Sequence, residues 1–181
     1  MDLNKENYKR FDILNDSYSS IEPKGGNYIV ALREGSELPG ELKPEHLPTI
    51  TFDGKEYRVV YTGVGQNIHD RIKKCHYEGT AGTSTFRKSL GALMGFQPVP
   101  RDSKYEENKK TKFGDDAENK VTDWMINNLI FFHHTDVNYK EIEKVLIFVL
   151  NPPLNLESNH NTVNQAFRKE LSDLRNNKDK K

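Results

Sequence analysis

Residues 53–65 read Asp53-Gly54-Lys55-Glu56-Tyr57-Arg58-Val59-Val60-Tyr61-Thr62-Gly63-Val64-Gly65. Asp-Gly is a hairpin-turn dipeptide, and it leads into a run of strand formers over Tyr57 to Tyr61. Gly63-Val64-Gly65 ends that strand. From Asn67 a helical period takes over, with Ile68, Arg71, Ile72 and Cys75 on one face. Upstream, after Pro23 and Gly25-Gly26, the apolar run Tyr28-Ile29-Val30-Ala31-Leu32 predicts a core strand. Between the two runs lies a polar segment with Pro39, Gly40, Pro44 and Pro48, so the expectation is two neighbouring antiparallel strands joined by a long insertion.

Downstream, Thr83 or Ser84 can cap a helix through Phe86, Leu90, Leu93 and Met94 to Gly95. Residues 97–120 are dense in charge and read as a loop or insertion rather than as core. Thr122 is expected to cap a short helix with Trp124 and Met125, and Leu129-Ile130-Phe131-Phe132 to form a third strand. A helix from Tyr139 to Leu150 stops before Pro152-Pro153, because proline removes a donor and restrains the residue before it. The whole predicts an α/β (α+β) fold with a small three-stranded sheet flanked by helices. A helical arm (1–24) precedes a domain (25–156) with a polar insertion at about 34–56 and the charged loop at 97–120. A last helix around Phe167, Leu171 and Leu174, then a lysine-rich tail ending in Lys180-Lys181, fill 157–181.

Apolar residues make up 34% of the 181 and charged ones 30%. That balance is lean for a globular chain, so some of it is solvated rather than packed. Net charge is zero, and a polyanionic partner must therefore be met by a local patch. Met1 to Arg10 lacks an apolar targeting segment and no apolar run could span a bilayer. The single cysteine, Cys75, excludes an internal disulfide and a cysteine-based zinc site. A soluble, cytoplasmic protein is expected.

Two charges sit on apolar stripes. Leu146, Ile147 and Leu150 follow Glu143 at helical spacing, so this carboxylate must be ion-paired, metal-bound or placed where the core opens. Arg71 is equally out of pattern between Ile68, Ile72 and Cys75, and two opposite off-pattern charges suggest one shared site. An internal Arg71–Glu143 ion pair is the plain alternative. Tyrosine, arginine and glutamate together suit metal-assisted phosphodiester hydrolysis, in which a water is deprotonated, a phosphate neutralised and a cation held. His133-His134 cannot easily chelate one ion, because successive strand residues face opposite ways.

At this point the residues resemble the GIY-YIG nuclease family over roughly residues 26–156. Gly26-Asn27-Tyr28 is similar to its first signature and Tyr61-Thr62-Gly63 to its second. Arg71 stands at the family's arginine spacing, and Glu143 with Pro152 and Asn155 matches its metal-binding end. Asn27, Thr62 and the long segment between the signatures depart from the pattern. The resemblance implies a DNA endonuclease using one Mg2+ (or Mn2+); an enzyme of restriction, anti-phage or mobile-element type is expected, because the chain has little room for a large second domain, with a homodimer as a candidate assembly. Glu143 would be the metal ligand and Arg71 would neutralise the phosphate. Tyr28 and Tyr61 would serve as base and water-positioning group, in either order. His76 would lie near the phosphate, with Gly63 and Asn155 in support. DNA would be met by Lys73, Lys74, Arg87 and Lys88. The competing readings are a non-catalytic nucleic-acid-binding module on the same fold and an interaction protein in which Arg71 and Glu143 pair.

Overall fold

The computed structural model describes residues 1–176, and the expected lysine-rich tail lies outside them. The chain begins with β1 (Lys9–Phe11), β2 (Gly26–Leu32), β3 (Thr49–Phe52) and β4 (Lys55–Gly65). Next comes α1 (Ile68–Asp70), which runs on into π-helical turns over Arg71–Tyr77, and then α2 (Thr85–Leu93). A small insertion holds β5 (Val99–Pro100), α3 (Tyr105–Asn108) and β6 (Thr111–Lys112). The last elements are α4 (Asp115–Asn128), β7 (Leu129–Thr135), α5 (Tyr139–Leu150) and α6 (Gln165–Asn176). No helix among the described residues is long and apolar enough to cross a membrane.

The main sheet is antiparallel with strand order β1-β7-β2-β4-β3, five strands where three were expected. β7, β2 and β4 are the three the apolar runs foretold. The two extra strands are edges, too short or too polar to declare themselves. β1 has one buried residue, Phe11, and the segment read as a helical arm instead pairs with β7. It is pinned there by buried Asp12, which accepts a hydrogen bond from Arg33 at 2.8 Å. β3 lies inside the polar insertion and pairs with the start of β4 across the Asp53-Gly54 turn, where both residues have positive φ. That is the conformation for which Asp-Gly is selected in two-residue hairpins.

Two further findings concern the charged stretch. Of the two readings of residues 97–120, a loop or an insertion, the structure has the insertion, with the β5–β6 pair and α3 inside it. α4 starts at Asp115, with Thr122 inside it rather than capping it. Its acidic first turn, Asp115, Asp116 and Glu118, suits a helix N-terminus electrostatically, although it resembles a solvated charge run in the sequence.

Both sheet faces are covered. Tyr28, Val30 and Phe131 point into a core with Ile68 and Ile72, Phe86 and Leu90 of α2, Val121 and Met125 of α4, and Phe167 and Leu171 of α6. Ile29, Ala31, Val59 and Phe132 face the opposite way, against Leu146 and Leu150 of α5. β2 is consequently buried along its whole length, which explains why it reads as an unbroken apolar run.

Candidate active site

A β-bulge decides where Tyr61 goes. Simple alternation along Tyr57, Val59 and Tyr61 would put all three on one face. The β2–β4 register instead pairs Val30 with Tyr61 but Ala31 with Val59, leaving Val60 extra. Tyr61 thereby turns onto the face of Tyr28, and the two rings stand 6.3 Å apart. Bulges commonly re-aim a side chain in this way beside functional sites. Sequence periodicity carries no sign of it.

Tyr28 lies directly opposite Gly63 and is fully buried. A methyl group on Gly63 would sit 2.5 Å from Cζ of Tyr28 and closer still to its hydroxyl oxygen. The glycine therefore makes room for the phenol. Gly63→Ala is expected to cost about 1–3 kcal/mol by overpacking and to displace that hydroxyl. A thermal melt checks this, and an unchanged melting temperature would show that the ring can step aside.

His76 is reached through the π-helical turns. In an α-helix residues five apart point about 140° from each other, whereas an i to i+5 winding lays Arg71 and His76 on the same side. His76 Nε2 is 2.6 Å from the Tyr28 hydroxyl, and Nδ1 is 2.8 Å from Ser84 Oγ, which also caps α2 by accepting from the Arg87 N–H. Burial, then the charges of Arg71 and Arg87, hold the His76 pKa well below its ordinary value, so the ring is neutral. Burial also pushes both phenols up, most strongly Tyr28, against the opposing pull of Arg71. Two neutral phenols and a neutral imidazole thus rest side by side.

Arg71 donates from Nη1 to the Thr83 carbonyl at 3.3 Å, while its buried Nε has no partner. Glu143 is half-buried on α5, its carboxyl raised by burial and drawn down by Arg71. Among the described residues no ion pair joins the two, which removes the observation that the interaction-protein reading requires. Tyr61, Thr85, Glu143, Ile147, Asn155 and Arg175 border one cleft of about 140 Å³.

Asn155 holds this cleft's wall. β3 covers β4 only as far as Arg58, so the later half of β4 needs other partners. The Leu154 N–H donates to the Val60 carbonyl at 3.0 Å, and the Asn155 amide makes both bonds to the Thr62 backbone at 2.9 Å. The loop after α5 is thereby fixed to the strand that carries Tyr61.

The cationic residues separate. Arg87, expected on a DNA-binding surface, is fully buried and cannot serve there. It bonds Glu118 through Nε and Nη2 at 3.2 and 2.8 Å, the His76 carbonyl at 2.7 Å and Thr122 at 2.8 Å. Its work is to tie α2 and α4 to the turn that carries His76. The partner Glu118 was hidden in the charged stretch, so sequence offered no sign of the pair. Arg87→Met would leave that carboxylate buried without its cation, at a cost of about 3–5 kcal/mol. The melting temperature should fall by about 6–20 °C; a drop of only a degree or two would contradict this role. Lys73 and Lys74 remain on the surface, paired loosely with Glu78 at 3.8 Å and with Asp70 at 3.0 Å. Such pairs are worth little and leave both lysines able to exchange partners. Lys88 is half-buried beside Arg175, a residue of the last helix that the sequence reading passed over.

A single carboxylate at an open cleft fits a hard cation that keeps most of its waters. Among the described residues no group of three or more His, Cys, Asp or Glu side chains could form a closed metal cage. The partnerless Glu143 carboxylate is consistent with the first arrangement and not with the second.

A family model described as the GIY-YIG catalytic domain matches residues 26–177, from the start of β2 through α6. Comparisons with curated proteins and with solved structures give no match.

Proposed function

The chain belongs to the GIY-YIG family of endonucleases, and on that premise we propose that it is a divalent-metal-dependent DNA endonuclease whose reaction occurs in the cleft between Tyr61 and Glu143. The observation that carries the proposal is that Tyr61 and Glu143 border one cleft while Tyr28, His76 and Arg71 cluster behind Tyr61, although the five come from β2, β4, the π-helical turns and α5.

Glu143 would hold Mg2+ or Mn2+, which when bound supplies Lewis-acid neutralisation of the phosphate and a more acidic water. Arg71 offers the planar, permanently charged donor that phosphate oxygens require, and its unpartnered Nε is a buried donor awaiting an acceptor. Tyr61, at the cleft, positions the attacking water. As the water oxygen bonds to phosphorus and the bond to the leaving sugar oxygen breaks, the water's proton passes to the Tyr61 oxygen at the cleft, and the Tyr61 proton goes out through cleft water to the leaving oxygen. Behind Tyr61, the fully buried Tyr28 hydroxyl donates a 2.6 Å hydrogen bond to His76 Nε2. Ser84 Oγ, accepting from Nδ1–H, selects the tautomer in which Nε2 is free to take it. His76 is a weak base here, so the proton stays on the Tyr28 oxygen and the bond fixes the two rings behind Tyr61.

The reading is tested by incubating labelled single-stranded and duplex oligonucleotides with Mg2+ or Mn2+, with and without chelator. Cleavage that stops on chelation is expected. DNA binding without cleavage under every cation would favour the non-catalytic module instead.

A further inference from the structure

Next to the catalytic cleft lies a second groove, of about 420 Å³, lined by Lys88, Val99, Tyr105, Lys109, Thr111 and Arg175 among others. Arg175 borders both openings. Three elements build the groove: Lys88 comes from α2, Arg175 from the end of α6, and the opposite wall from the β5–α3–β6 insertion.

The charges in it are unbalanced. Lys88 and Arg175 are close enough that the arginine draws the lysine's pKa down, in addition to the larger effect of burial. Neither is in an ion pair among the described residues, and the acid that Arg175 senses, Glu157, stands on the rim of the catalytic cleft. Lys109 projects over the Tyr105 ring at 5.2 Å and meets Glu106 at 2.6 Å. The Thr111 hydroxyl in the wall has no hydrogen-bond partner. Two half-desolvated like charges side by side are unfavourable in the free protein. An anion arriving between them would relieve the repulsion.

We propose that this groove binds the phosphodiester backbone flanking the scissile phosphate, with Arg175 as the joint between the catalytic cleft and the groove and Lys88 as the next contact. The inference rests on the nuclease reading for its substrate. It also accounts for how a chain of zero net charge meets a polyanion, since the cations that matter are those without local acids.

The test uses the full-length protein and a fluorescent DNA duplex in Ca2+, titrated at several salt concentrations. Lys88→Gln and Arg175→Gln should each lower the magnitude of the salt slope by about one unit, and Arg175→Lys should restore it. In Mg2+ Lys88→Gln should raise KM and leave kcat within about twofold. If Arg175→Gln fails to fold, Lys88→Gln and Arg175→Lys still decide the question, because Lys88 is half-exposed and glutamine keeps much of its stem. Unchanged slopes in both variants, beside a wild type that binds and cleaves, would overturn the groove and leave the nuclease reading standing. Reduced slopes in the variants, beside a wild type that binds but never cleaves, would uphold the groove and sink the nuclease reading. Absence of any DNA binding by the wild type would end both.

Discussion

Glu143→Gln is expected to abolish cleavage, by at least about a thousandfold, while the protein stays folded. A thousandfold is about 4 kcal/mol of transition-state stabilisation, which is what losing a cation beside a phosphate should cost. The amide keeps the shape of the carboxylate but is a poor ligand for a hard ion. Folding should survive because Glu143 makes no ion pair among the described residues for the mutation to break, and because its carboxyl is destabilised by burial rather than held by donors. The melting temperature should hold or rise slightly. Binding of a DNA duplex in the absence of divalent cation should also be preserved, which separates loss of chemistry from loss of substrate. A purified, folded variant with wild-type turnover would remove Glu143 from the mechanism.

Arg71→Lys should cut turnover by about a hundredfold, the scale of losing one positioned donor to a transition-state oxygen. Charge is retained, but the fork is lost, and with it the buried Nε that has no partner. The effect should fall on kcat more than on KM, since a lysine can still attract a phosphate as a point charge. A second consequence follows from the wiring of the site. Arg71 pulls both Tyr28 and Tyr61 down against burial, so a shorter, differently placed cation should shift the alkaline limb of the pH–rate profile upward. Raised KM with unchanged kcat would make Arg71 an anchor for DNA rather than a participant in the reaction.

The residues around the cleft differ in how visible they were before any coordinates. Glu143 and Arg71 stood out because a charge on an apolar stripe has few physical explanations. The three inner strands β2, β4 and β7 were visible as apolar runs, and α5 had both of its ends marked. Hidden features depended on partners far along the chain. Arg87 looked like surface charge because its partner, Glu118, lies 31 residues away inside a stretch that reads as solvated. β1 and β3 are short edges whose stability comes from the strand they join, not from their own composition. The bulge at Val60 interrupts alternation without changing any residue type. Arg175 emerges only when α6 packs back beside α2 and the cleft, a tertiary fact with no local signature.

The most direct measurement of the central claim is the conversion of supercoiled plasmid by wild-type protein and by Glu143→Gln, purified identically and incubated side by side in Mg2+. The account predicts nicked or linear DNA from the wild type, arrest by chelator, and intact plasmid from the variant. Equal conversion by both proteins, or intact plasmid from both in Mg2+ and in Mn2+ alike, would contradict it.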